Sequence, residues 1–219
     1  MKLFLDTADC AAIEKWVATG LIDGVTTNPS HLYKSGGDPK KIVLAICALI
    51  PDGDVSVEVT EIDPNKVYAQ AKEIAALAPN VVVKIPCHIL YYPIIKKLVE
   101  QEVAVNVTLV FTLLQGLMMS KIGVDYISPF IGRWDDLDID GMPLLQELRE
   151  MMDQYEFDTQ ILAASVRHVR HLHEIVVAGV DVATVPVDVL ERATTHVLTD
   201  QGIAKFKADW QKLGVKQFP

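Results

Sequence analysis

Short, nearly uninterrupted aliphatic runs alternate along the chain with segments whose apolar residues recur at helical spacing. The runs predict eight strands: Lys2–Asp6, Gly24–Thr27, Val55–Val59, Val81–Ile85, Ala104–Leu109, Tyr126–Pro129, Gln160–Ala164 and Val182–Val185. Most are apolar throughout rather than alternating, as expected of parallel strands buried on both faces. Successive strands begin about 22 to 34 residues apart, room for one helix each. Gly123 and Gly179 each follow a helical segment and precede a strand, as helix-stopping glycines do. Their surroundings resemble one another: Lys121-Ile122-Gly123-Val124-Asp125 and Val177-Ala178-Gly179-Val180-Asp181. Pro29, Pro64, Pro93 and Pro186 fall near the first turn of predicted helices, where a missing N–H costs little.

Eight βα units in succession predict a (β/α)8 barrel, expected as a single domain over residues 1–219. A doubly wound sheet is the alternative, but its glycine-rich first turn is not what Asp6-Thr7-Ala8-Asp9 offers. An additional C-terminal helix is expected over about residues 201–213. Phe206 and Trp210, four residues apart, would share one of its faces and need a partner surface.

Composition narrows the function classes. The chain is 219 residues long, 50% hydrophobic and 22% charged, which argues for a folded globular protein and against disorder. Its net charge is −9, from 20 Lys and Arg against 29 Asp and Glu. With no basic run longer than a lysine pair, no nucleic-acid partner is expected. An anionic small substrate would need a local cluster of cations. The longest strongly apolar run, Ile42–Ile50, is too short to span a membrane, and an acid at position 6 argues against a signal peptide. Cys10, Cys47 and Cys87 have no metal-binding spacing and read as reduced thiols, so a cytoplasmic location is expected.

In a barrel of this kind chemistry sits at the C-terminal ends of the strands. The sequence puts polar residues there: Asp6, Thr26-Thr27-Asn28, Glu58, Lys84, Asn106 with Thr108, Ser128, and Ser165 with Arg167. Lys84 stands among Val81, Val82, Val83, Ile85 and Pro86. Burial disfavours the ammonium, and a neutral lysine amine attacks carbonyls to form a Schiff base. The other reading is a strand-end lysine whose head reaches water. Asp6 and Glu58 would enter the barrel mouth from different strands, either as proton carriers or as ion-pair partners of Lys84 or an arginine. Arg133 and Arg167, with Ser165, follow the sixth and seventh strands, where a guanidinium can grip a phosphate. His168 and His171 lie one turn apart, but with arginines interleaved they read as a solvated helix face rather than a metal site.

These residues resemble a known family. Asp23-Gly24-Val25-Thr26-Thr27-Asn28-Pro29-Ser30 is similar to the N-terminal signature of the transaldolases, and Val82-Val83-Lys84-Ile85-Pro86 resembles the segment that carries their Schiff-base lysine. Asn106-Val107-Thr108, Ser128-Pro129-Phe130-Ile131-Gly132-Arg133 and Ala164-Ser165-Val166-Arg167-His168 match further blocks. The length is that of the small subfamily that also holds fructose-6-phosphate aldolase. The resemblance implies a barrel that needs no cofactor and no metal and takes sugar phosphates, with a dihydroxyacetone unit passing from a ketose phosphate to an aldose phosphate. Lys84 would form the imine, Asp6 would take the proton from the hydroxyl at the carbon released, and Glu58 and Thr108 would hold a proton-carrying water. Asn28, Asn106 and Ser128 would bind the dihydroxyacetone hydroxyls, with Thr26 and Phe130 beside them, and Arg133, Ser165 and Arg167 would grip the phosphate. Phe130 stands where the aldolases have a tyrosine, and Glu58 where they have a glutamine, which favours transfer over net cleavage. The same resemblance implies a homo-oligomer, a pentamer or a decamer of stacked rings. Two segments depart from the family pattern: His31 replaces an aliphatic residue, and Cys87-His88-Ile89-Leu90-Tyr91-Tyr92-Pro93 replaces a small polar turn. From a different class, a barrel that binds sugar phosphates without turnover is the remaining alternative.

Overall fold

The computed structural model describes residues 1–214, so the expected reach of the domain to residue 219 lies outside the described residues. The strands are β1 (Lys2–Asp6), β2 (Gly24–Thr26), β3 (Asp54–Glu58), β4 (Val81–Pro86), β5 (Val105–Val110), β6 (Tyr126–Pro129), β7 (Gln160–Ala163) and β8 (Val182–Val185). They pair in sequence order, all parallel, and β1 closes on β8. Closure rules out the doubly wound sheet, whose edge strands would stay unpaired. All eight predicted strands form, with ends displaced by at most a residue or so; β3, for example, starts and stops one residue early.

The described helices are α1 (Cys10–Val17), α2 (Pro29–Ser35), α3 (Pro39–Leu49), α4 (Pro64–Ala75), α5 (Tyr92–Val99), α6 (Leu113–Ile122), α7 (Ile131–Asp135), α8 (Met142–Tyr155), α9 (Val169–Ala178), α10 (Val187–Ala193) and α11 (Val197–Lys212). Side-chain oxygens of Asp9, Asn28, Asp38, Asp63 and Thr112 accept the free N–H groups at helix starts. Gly123 and Gly179 end α6 and α9 in the left-handed conformation that a side chain disfavours. The C-terminal helix begins at Val197, some four residues before the expected start, because His196 Nδ1 accepts from Leu198 N and caps it there.

The resemblance between the two glycine junctions has a structural cause. Asp125 Oδ2 accepts from Val105 N, and Asp181 Oδ2 from Ile161 N, both at 2.8 Å. Asp23 does the same for Leu3 N at 2.7 Å. In each case an aspartate ahead of one strand accepts from the first or second N–H of the strand before it. These bonds fix neighbouring strands at the bottom of the barrel.

Packing divides into two zones. Most of the core lies between the sheet and its helices. A separate apolar plug of Phe4, Val82, Tyr126, Leu162, Ala164 and Val182 fills the barrel interior. Side chains alternate along a strand, so the residue two positions after each plug member also faces inward. Those positions carry Asp6 after Phe4, Lys84 after Val82, Ser128 after Tyr126 and Thr184 after Val182. The polar layer thus rests on a dry floor.

Gly24 is where that floor has no slack. A Cβ there would come within 2.6 Å of the Phe4 ring and 2.7 Å of the Asp54 carbonyl oxygen. Gly24→Ala is expected to lower stability by about 1–3 kcal/mol, the usual cost of overpacking. Urea denaturation checks this; an unchanged midpoint would mean the plug can yield.

Candidate active site

The strand register brings the central residues together. Glu58 is the register partner of Lys84, and Lys84 of Asn106, so three neighbouring strands present these side chains side by side. Lys84 is only 4% exposed. Its Nζ donates to the Thr27 carbonyl at 3.2 Å and lies 3.2 Å from Glu58 Oε2. The Phe130 ring centroid is 5.9 Å from the same nitrogen. The reading of Lys84 as a lysine reaching for water is therefore not what the fold builds. The ammonium is inside, with one carboxylate as its counter-charge.

Above it opens a cavity of about 520 Å³, lined among others by Asp6, Thr26, Asn28, Ser128, Ser165 and Thr184. Asp6 Oδ1 accepts from Thr26 Oγ1 at 3.1 Å, and Thr26 in turn pairs with Thr184 at 2.6 Å. Asn28 has its side-chain oxygen committed to capping α2, through His31 N at 2.9 Å, so the amide nitrogen is what it offers to the cavity.

Asn106 and Thr108 sit deeper. Asn106 is fully buried, donating to Ser56 Oγ at 3.0 Å and accepting from Ser128 Oγ at 2.7 Å. Asn106 is thus tied at both ends of its amide, and its direct partner at the cavity wall is Ser128. Thr108 Oγ1 is buried and makes no hydrogen bond among the described residues. A buried hydroxyl in that state calls for a water or a substrate group.

The arginines line the same cavity, as does Phe130. Their loops are clamped together: Ile131 N donates to the Ala164 carbonyl at 3.1 Å, and a Cβ on Gly132 would sit 2.2 Å from the Ser165 carbonyl oxygen. Ser165 itself has φ +62°, a strained conformation of the kind that clusters at functional sites. Arg133 lies 5.9 Å from the Phe130 centroid, while Arg167 is paired with Asp136 at 2.7 Å. The cationic corner expected from the sequence is therefore partly neutralised on the Arg167 side.

Sequence reasoning did not single out Ser56, Thr184 or Lys34. The first two follow from the two-residue step, being two before Glu58 and two after Val182. Lys34 lines the cavity one helical turn after His31.

His168, which caps α9, and His173 are exposed as expected, but His171 is not part of a solvated face. His171 is 5% exposed and bonded through Nε2 to Asp135 Oδ2 at 2.8 Å. Asp135, His168 and His171 bring three ligand-type atoms within 4.8 Å of one another. Both rings, however, accept backbone N–H bonds at Nδ1: His168 from His171 N at 3.1 Å, and His171 from Arg167 N at 3.3 Å. A neutral imidazole that accepts at Nδ1 carries its proton on Nε2, the nitrogen a metal would have to use here. The hydrogen bonds fit a structural role that braces the Arg167 loop.

The whole chain has recognisable relatives. Residues 3–216 match the family described as transaldolase/fructose-6-phosphate aldolase. A probable transaldolase of Maricaulis maris is 48% identical over 214 residues, covering 98% of both chains. Those of Dinoroseobacter shibae and Dehalococcoides mccartyi are 45% and 46% identical, the first covering 99% of both chains, the second 97% of this chain and 99% of its own.

Burial pushes the His171 pKa down, with the neighbouring His168 adding to the shift and Asp135 opposing it. An unfolded imidazole titrates near pH 6.5, so below that the unfolded chain takes up a proton that the folded one resists. Stability contributed by His171 is therefore full above about pH 6.5 and is lost as pH falls through the lowered folded value. Urea midpoints at about pH 7.5 and pH 5.5 should fall with acid in the wild type and fall less in His171→Gln. An equal fall in both would place the acid sensitivity elsewhere.

Proposed function

Because this chain belongs to the transaldolase/fructose-6-phosphate aldolase family, we propose that it transfers a dihydroxyacetone unit between sugar phosphates through an imine on Lys84. The observation that carries this reading is the buried Lys84 amine on the cavity floor, 3.2 Å from Glu58. A carboxylate at that distance can take the ammonium proton and free the nitrogen lone pair.

The steps follow from the positions of the groups. Lys84 Nζ attacks the ketose carbonyl carbon, forming a C–N bond, and the carbonyl oxygen takes a proton to become a carbinolamine hydroxyl. That hydroxyl leaves as water when the imine forms. Glu58, with a water held at the Thr108 hydroxyl, carries the protons. Asp6 removes the proton from the hydroxyl on the carbon of the breaking bond that leaves as the aldehyde. The carbon–carbon bond then cleaves, an aldose phosphate departs, and its electrons remain as an enamine on Lys84. An incoming aldose phosphate takes up the enamine carbon, and the same steps run backwards. Ser128, oriented by Asn106, and the Asn28 amide would bind the dihydroxyacetone hydroxyls, beside Thr26 and Phe130. Arg133, Ser165 and Arg167 would bind the phosphate.

Transfer rather than net cleavage requires that the enamine meet an aldehyde before it meets a proton. Phe130 lies beside the Lys84 nitrogen and carries no hydroxyl. Sedoheptulose 7-phosphate with glyceraldehyde 3-phosphate is the expected donor and acceptor pair, a reaction of pentose phosphate interconversion. We extend the reading to a homo-oligomer: Val197, Leu198, Ile203 and Phe206 on α11 are all exposed, Phe206 by 73%, which supports packing on another copy. No described helix is long and apolar enough to cross a membrane.

Product analysis tests the proposal. With both sugars present, fructose 6-phosphate should appear, whereas fructose 6-phosphate alone should be cleaved slowly. Phe130→Tyr should raise cleavage relative to transfer. Rapid wild-type cleavage without an acceptor would replace transfer by aldolase activity, and no turnover at all would leave a binding protein.

Arg133→Ala or Arg167→Ala should raise KM for phosphorylated donors by about 10- to 150-fold, the worth of a charged hydrogen bond. Dihydroxyacetone as donor should be much less affected. Equal losses for both donors would remove the phosphate from this corner.

A further inference from the structure

His31 follows the Asn28-Pro29-Ser30 segment at the barrel mouth. Its ring lines both the cavity above Lys84 and a neighbouring one of about 550 Å³ bordered by Thr7, Asp9, Cys10 and Lys34. The backbone holds it in place: His31 N donates to Asn28 Oδ1 at 2.9 Å, and its carbonyl accepts from Ser35 Oγ at 3.1 Å. Nδ1 is buried and makes no hydrogen bond among the described residues. What it faces is Asp6 Oδ1, 3.5 Å away.

A bare lone pair on Nδ1 would confront the lone pairs of the carboxylate, while an N–H there is attracted to them. At 3.5 Å the contact is longer than a hydrogen bond, as catalytic contacts often are before substrate tightens them.

We propose that His31 is a positioning residue for Asp6. Its Nδ1–H and the Thr26 hydroxyl hold Oδ1 from two directions, leaving Oδ2 as the oxygen that takes the substrate proton. The proposal rests on the reading of Asp6 as the proton acceptor in imine-based cleavage.

Two variants separate the donor from the bulk of the ring. His31→Leu keeps much of the volume and removes the donor, whereas His31→Asn places an amide nitrogen close to the position of Nδ1. Transfer kinetics are read alongside borohydride trapping of the donor ketose phosphate. His31→Leu should lower kcat about 10-fold with KM little changed, since the lost contact acts on a charged group during the bond-breaking step. His31→Asn should recover most of that loss. All three proteins should give the reduced adduct. Wild-type kcat in His31→Leu, or no recovery in His31→Asn, would overturn the proposal. An adduct missing only from His31→Leu would overturn it too, by showing that the ring acts on folding or imine formation. An adduct missing from the wild type would instead overturn the imine reading beneath it.

Discussion

Everything at this barrel mouth is organised around one ammonium group taken out of water. Removing a charge of that size from solvent costs several kcal/mol even after a protein relaxes around it. At 3.2 Å from Glu58, attraction returns roughly 5 kcal/mol at an effective dielectric of about 20. The two are comparable, so the Lys84–Glu58 pair sits near balance rather than deep in a well. Burial of the pair is thereby tolerated, and Glu58 stands within reach of the proton that the amine must lose before it can attack a carbonyl.

The barrel supplies the conditions for this balance. Parallel register sets Glu58 and Lys84 opposite one another, and the apolar plug beneath keeps water from reaching them from below. Around the pair the polar side chains constrain each other: Ser56 to Asn106 to Ser128 on one side, Thr184 to Thr26 to Asp6 on the other. Each chain of bonds begins in a buried hydroxyl and ends in a group that faces the cavity. Loops alone could not hold such groups to a fraction of an ångström. Strands and their two-residue repeat can.

Much of this was legible in the chain. The aliphatic runs revealed eight strands because parallel strands buried on both faces leave few other patterns, and the inward polar ends stood out against Val and Ile. Partnerships were harder to read. Whether Glu58 meets Lys84 or an arginine depends on register, which no local pattern encodes. Asn106, a substrate ligand by resemblance, is also bonded through its amide to hydroxyls from two other strands, a linkage that no local pattern shows. Arg167 reads as a phosphate-gripping or surface ion-pairing residue, and its partner Asp136, 31 residues earlier, is brought to it only by the fold. His171 reads as surface because its neighbours are charged, although the helix turns it against Asp135. The repeated glycine–valine–aspartate junction was visible, but its purpose, tying down the preceding strand, appears only in three dimensions.

Borohydride reduction in the presence of a ketose phosphate, followed by peptide mass spectrometry, tests most directly whether the buried amine is the nucleophile. The expected result is a single added mass, that of a reduced three-carbon imine, on Lys84 and on no other lysine. An unmodified Lys84 in an enzyme that turns over under the same conditions, or an adduct carried by a different lysine, would contradict it.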